Sequence, residues 1–214
     1  MNDYMTEEEK VEAIKEWWRE NGRSVVAGVV LGLGGLFGWR GWVDYREGQA
    51  EAASLAYVEM RQAAQAGLTE AALAQGTSLR EDYASTPYAA LAALEAARIA
   101  VEDGDLATAE TELRWAVDQA RQDSVRELAR LRLVRVLSAQ GNYAAALGLL
   151  DSAPFSTAYE ALVYELRGDI HRARGEREQA IEAYEQALAT ARGSTDYLRM
   201  KRDDLAVSAG ADQG

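Results

Sequence analysis

The sixteen residues Ser24–Trp39, SVVAGVVLGLGGLFGW, carry no charge, and they constrain what can surround them. Extended through Arg40 to Val43, the segment holds 20 residues. At helical rise that is roughly 30 Å, the thickness of a bilayer's hydrocarbon core. Trp17 and Trp18 precede it, and Trp39, Trp42 and Tyr45 close it, as expected where aromatic rings collect at membrane–water interfaces. Arg40 lies near the end, where its long stem returns the guanidinium to the headgroups. At mid-bilayer it would cost about 2.5–3.5 kcal/mol. The segment predicts a transmembrane helix over 24–43.

Six of the 18 glycines fall between Gly28 and Gly41. Gly28/Gly32 and Gly34/Gly38 form two GxxxG patterns, and Ser24 extends the first. Small residues four apart make a flat stripe for another membrane helix, so Ser24, Gly28, Gly32, Gly34 and Gly38 are the candidate helix-packing residues. The glycine tolerance of membrane helices explains the same residues equally well. A dinucleotide-binding loop is excluded, because Phe37 stands where the third glycine of GxGxxG belongs and no strand precedes it. Ala50-Glu-Ala52 matches a small-x-small cleavage pattern, but Arg40, Asp44, Arg46 and Glu47 intervene. The span therefore reads as a retained anchor rather than a signal peptide.

Lysine and arginine decide orientation. Lys10, Lys15, Arg19 and Arg23 precede the span, against Arg40 and Arg46 after it, which favours a cytoplasmic amino terminus. Residues 1–23 then form a cytoplasmic leader. Thr6 to Glu9 reads as a capping box, Val11, Ile14 and Trp18 share one face of a short amphipathic helix, and Asn21-Gly22 is expected to end or kink it.

Composition narrows the chemistry. The 214 residues include no cysteine and a single histidine, which excludes disulfides, thiol nucleophiles, iron–sulfur clusters and the usual zinc sites. A net charge of −12 is a poor match for a nucleic-acid phosphate backbone. No P-loop, nucleophile elbow or metal-ligand spacing occurs, so neither cofactor nor metal is expected and catalysis is not predicted. His171 takes a position where a packing aromatic is usual, and the paired acids Asp103/Asp105 and Asp203/Asp204 read as helix-end caps.

Residues 44–207 contain a repeat. Gly104-Asp-Leu-x-x-Ala109, Gly141-Asn-Tyr-x-x-Ala146 and Gly175-Glu-Arg-x-x-Ala180 are spaced by 37 and 34 residues. Each glycine ends one helix and opens a second, continued as Leu113/Ala116, Leu150/Ala153 and Tyr184/Ala187; Ala97, Val134 and Gly168 lie seven residues before the turn. Such a period with small residues at close helix contacts is the tetratricopeptide pattern. An additional helix pair is expected over 48–66 and 69–84 around Gly67, a capping helix over 196–207, and a loose tail over 208–214. The predicted fold is all-α: one N-terminal transmembrane helix followed by a tetratricopeptide-like solenoid. Such arrays bind partners. Their inner helices would present Leu91, Leu94 and Arg98, then Leu128, Leu131, Arg132 and Arg135, then Leu162, Glu165, Asp169 and Arg172. Arginines beside apolar positions suit acidic or extended peptides, although each leucine could equally pack between repeats.

The order of leader, glycine-rich span and repeats resembles the YfgM family of ancillary SecYEG translocon subunits. The resemblance is carried by Val11-Glu-Ala-Ile-Lys15, Glu20-Asn-Gly-Arg23, Gly28-Val-Val-Leu-Gly-Leu-Gly34 with Gly38-Trp-Arg40, and Ala53-Ser-Leu-Ala-Tyr57. Leu131-Arg-Leu-Val-Arg135 and Leu166-Arg-Gly-Asp169 add to it. It implies a single-pass type II protein of the bacterial inner membrane with its repeats in the periplasm. It also implies association with SecYEG and the PpiD chaperone, and a role in passing emerging secretory chains to periplasmic chaperones. A general envelope scaffold, or a regulatory adaptor whose leader binds a signalling partner, is the competing reading.

Overall fold

The computed structural model describes residues 7–211, all of whose regular structure is helical. Contacts divide the chain into two compact units, residues 1–51 and 52–214. Helix α1 runs over Glu7–Gln65, beginning with Glu7, Glu8 and Glu9, acids that suit the positive end of the helix dipole. The Thr6 cap lies outside the described residues. Asn21 and Gly22 do not interrupt the helix, contrary to expectation. Asn21 turns its Nδ2 back onto the Trp17 carbonyl at 3.1 Å, and Gly22 lies under the Trp18 indole, where a Cβ would come within 3.2 Å. Both residues thus serve the preceding turn instead of terminating it.

In the second unit, the end of α1 is followed by α2 (Thr69–Asp82), α3 (Pro87–Glu102), α4 (Leu106–Gln119), α5 (Asp123–Ala139), α6 (Tyr143–Asp151), α7 (Glu160–Ala173), α8 (Arg177–Thr190) and α9 (Asp196–Ala211). From α2 onward each helix packs on the next in chain order, as in a solenoid of hairpins. Helix α9 continues through 208–211, where a loose tail is expected; residues 212–214 lie outside the described set.

One turn recurs four times. Gly67, Gly104, Gly141 and Gly175 have φ of 73°, 79°, 77° and 76°, the left-handed region that costs other residues about 1–2 kcal/mol. After each, the next amide reaches back five residues, as in Leu68 N to Ala63 O at 2.9 Å and Asp105 N to Ala100 O at 2.8 Å. Asn142 to Leu137 and Glu176 to His171 repeat the bond, satisfying carbonyls that a helix end would otherwise strand. The Gly67 turn is therefore a full member of the series.

The hairpins close through a paired site, seven residues before each turn glycine and nine after. At Gly168 a Cβ would come within 2.5 Å of the Tyr184 ring; at Gly76 it would come within 2.9 Å of the Met60 Cε. The same offsets hold Ala97/Leu113 and Val134/Leu150, all buried. Small and large residues thus compensate, with Met60/Gly76 reversing the order of Gly168/Tyr184. Two buried clusters result. One joins Leu113, Leu131, Leu133, Val134, Leu137 and Ile170 across α3 to α7; the other joins Ala53, Met60, Ala72, Leu79 and Ile99 across the end of α1, α2 and α3.

The longest connection, between α6 and α7, is held by Arg130. Its guanidinium lies 3.5 Å over the Phe155 ring and donates to Ala153 O at 2.8 Å, while Glu127 accepts from the Ser156 amide and hydroxyl at 3.2 and 2.7 Å.

Candidate functional site

Within the first unit, the apolar stretch of α1 is long and apolar enough to cross a membrane by length and composition. Leu31, Leu33, Leu36 and Phe37 are exposed, and a Cβ added at Gly28, Gly32, Gly34 or Gly38 would meet nothing within 4 Å. At about 100° per residue the glycines fall on two faces. Ser24, Gly28 and Gly32 share one with Gly35, while Gly34 and Gly38 share another with Gly41. The first face belongs to a longer seam at alternating spacings of three and four: Val11, Ile14, Trp18, Asn21, Val25, Gly28, Gly32, Gly35, Trp39 and Trp42. It runs bulky at both ends and empty of side chains in the middle. The indoles of Trp39 and Trp42 lie 5.4 Å apart, and the Arg46 guanidinium sits 4.8 Å from the Trp42 ring.

In the repeat unit a pocket of about 430 Å³ opens among α3, α4 and α5. Ala97 and Val101 from α3, Leu106 and Leu113 from α4, and Val136 and Ala139 from α5 make its apolar wall. Arg98, Arg132 and Arg135 stand around it. Three of the predicted groove residues are thus brought together. Arg98 is committed to Glu95, at 2.8 Å, and to Glu102. The hydrogen bonds from Arg98 hold the Glu95 carboxyl below its ordinary range, and those carboxylates push the guanidinium of Arg98 up. Arg132 Nη1 makes one long bond, 3.5 Å to the Leu94 carbonyl. Arg135 is exposed and makes no hydrogen bond or ion pair with any described residue.

The remaining predicted groove residues go elsewhere. Leu94 and Leu131 are buried in the larger cluster, and Leu91, Leu128 and Leu162 pack against it half-buried. Arg172 is exposed on α7, outside this pocket. Val101, Leu106, Val136 and Ala139 were not foreseen. The signal for Val101 is its place three residues before a turn glycine, where it is 44% exposed despite its apolar side chain.

Glu165 and Asp169 are occupied by the terminal helix. Lys201, 6% exposed, donates to Glu165 Oε1 at 2.7 Å and to both Asp169 oxygens at 2.8 Å, and Tyr184 donates its hydroxyl to Asp169 at 2.7 Å. Burial pulls the Lys201 ammonium down, but the hydrogen bonds to Asp169 and Glu165 outweigh it and hold it above its ordinary value. Burial and the Asp169 bond both push the Tyr184 phenol up. His171 Nδ1 lies 2.7 Å from Glu176, which also pairs with Arg174 at 2.6 Å; this clamps the Gly175 turn. Among the described residues no cluster of His, Asp or Glu could hold a metal ion.

A family model described as a tetratricopeptide repeat-like domain matches residues 15–207, and so takes in the apolar stretch of α1 as well as the repeats. The ancillary SecYEG translocon subunit of Escherichia coli is 30% identical to this chain over 209 residues, covering 97% of this chain and 100% of that protein. The ancillary SecYEG translocon subunit of Haemophilus influenzae is 32% identical over 181 residues, 85% of this chain and 88% of that one. That of Aggregatibacter actinomycetemcomitans is 34% identical over 185 residues, 86% and 90% of the two chains.

Proposed function

Because the chain belongs to the tetratricopeptide repeat-like family of ancillary SecYEG translocon subunits, we propose that it is a membrane-anchored adaptor of that translocon. The observation that carries this is the span of the similarity, which includes the anchor and the repeats together. Such repeats alone would be weak support, because many unrelated proteins have them. The family is of a protein-binding, non-catalytic kind.

In this reading α1 anchors the protein in the bacterial inner membrane, with the amino terminus in the cytoplasm and the repeats in the periplasm. The four lysines and arginines before the span, against two after it, support that orientation. The face holding Ser24, Gly28, Gly32 and Gly35 docks on a membrane helix of the translocon or of a PpiD-like chaperone. The repeats then help pass emerging secretory chains to periplasmic chaperones.

Photocrosslinkers placed singly along α1 test the docking. Positions 28, 32 and 35 should capture translocon or chaperone helices in cells, with positions 30 and 37 capturing less; capture of lipid alone from every position would sink the idea. A reporter fused after Gly214 should be active only in the periplasm.

The exposed Val11, Ile14, Trp17 and Trp18 of the leader favour a second reading, a regulatory partner held in the cytoplasm. Deleting residues 2–20 would then abolish regulation and leave translocon association intact.

A further inference from the structure

The pocket among α3, α4 and α5 inverts the charge of the unit around it. Residues 52–214 contain 25 acids and 17 bases, yet three arginines and a single acid, Glu102, stand at the pocket. That acid is already paired with Arg98. Arg135 is exposed and unpaired among the described residues, and Arg132 has only its long bond to a carbonyl. An exposed guanidinium at Arg135 and a half-buried one at Arg132, both with donors to spare beside an apolar depression, offer adjacent sites for a carboxylate and for an apolar side chain. The volume of about 430 Å³ lies within the roughly 300–1,000 Å³ of ligand pockets.

We propose that this pocket receives a large apolar side chain from an extended acidic segment of a partner protein, with a neighbouring carboxylate paired to Arg135 and Arg132. This rests on the protein-binding reading above and names the chemistry that the repeats select. Val101 and Leu106 contact the apolar side chain, and Val136 forms the floor between it and the arginines. Arg98 is a fixed post, held by Glu95 and Glu102, so the selectivity falls to the two arginines of α5.

The test uses the full chain in detergent micelles and the fluorescein-labelled peptide Gly-Ser-Asp-Leu-Glu-Gly-Ser, read by fluorescence anisotropy. Two control peptides replace the acids by lysine or the leucine by serine. The acidic, leucine-bearing peptide should bind and both controls should bind at least about tenfold more weakly. Arg135→Glu should weaken binding about tenfold or more, and Ala139→Trp, which fills the mouth, should do the same. Both positions are exposed, and unchanged thermal melts would show that the variants fold. Equal binding of the lysine peptide, full affinity in Arg135→Glu, or no binding by the wild type overturns the proposal. So does phosphatidylglycerol vesicle binding that depends on Arg135 when the peptide does not bind, since the pocket then serves lipid. Copurification of the translocon with the same proteins separates the two readings. Its retention without peptide binding refutes the pocket alone, whereas its absence from the wild type refutes the adaptor.

Discussion

At the scale of single residues, stability depends on how two side chains share one space. Gly168 has none to share, because the Tyr184 ring fills the position of its Cβ. Gly168→Ala should therefore cost about 1–3 kcal/mol in chemical denaturation, although alanine is the better helix former. Pairing it with Tyr184→Leu recreates the Ala97/Leu113 combination, and the double mutant should recover a coupling energy of about 1 kcal/mol or more. A second shared space lies between α2 and α4, where Arg80 meets Glu112 at 3.0 Å and Glu112 Oε2 has no partner. Burial, partly offset by Arg80, holds the Glu112 carboxyl above its ordinary value. A raised acid binds its proton more tightly in the folded state, so its contribution is complete below the ordinary value of 4.5 and declines as pH rises through the raised one. Unfolding measured for wild type and Glu112→Gln should thus show the mutant gaining relative to wild type from pH 4.5 towards 7. Parallel curves across that range would contradict the assignment.

Helices and turns show what the sequence could disclose. The turn glycines were legible because only glycine takes the left-handed φ without cost, so the backbone requirement is written as a residue type. Pro87 follows a similar rule, standing at the start of α3 where its missing amide is harmless. Asn21-Gly22 misled because the same residue types that end helices also serve inside them, there by bonding Trp17 and seating Trp18. The pocket was only partly legible. Its arginines follow from register, but its apolar wall comes from three helices, and periodicity along one helix does not say which neighbour each face meets. Leu94 is the plain example, since it points into the packed core and offers Arg132 only its carbonyl. Helix α9 adds a feature no pattern announced, a buried lysine serving two carboxylates of α7. Lys201→Met should destabilise the fold by about 2–3 kcal/mol, below the usual figure for a broken buried pair because Asp169 is 35% exposed. A raised lysine contributes fully below its ordinary 10.5 and loses that contribution only above it. The stability gap between Lys201→Met and wild type should therefore be level from pH 7 to 9 and shrink at higher pH.

For the molecule as a whole, packing in chain order means that stability is distributed along the repeats rather than held at one centre. The two buried clusters meet in α3, which gives Ala93 and Ala97 to one and Ala92, Ala96 and Ile99 to the other. Helix α9 lies at the far end, packed on α8 and tied to α7 by Lys201. Loosening it should open its neighbours and leave the first hairpins closed, because each repeat contacts only those beside it. Hydrogen exchange on the full chain in micelles can resolve this. In Lys201→Met, amides of α7, α8 and α9 should exchange faster than in wild type, while those of α2, α3 and α4 keep their protection. Faster exchange throughout would mean that the repeats unfold as one cooperative body. The proposed adaptor role calls for the graded behaviour: a client bound at the α3–α5 pocket as proposed would be held by repeats that stay ordered while the terminal ones breathe.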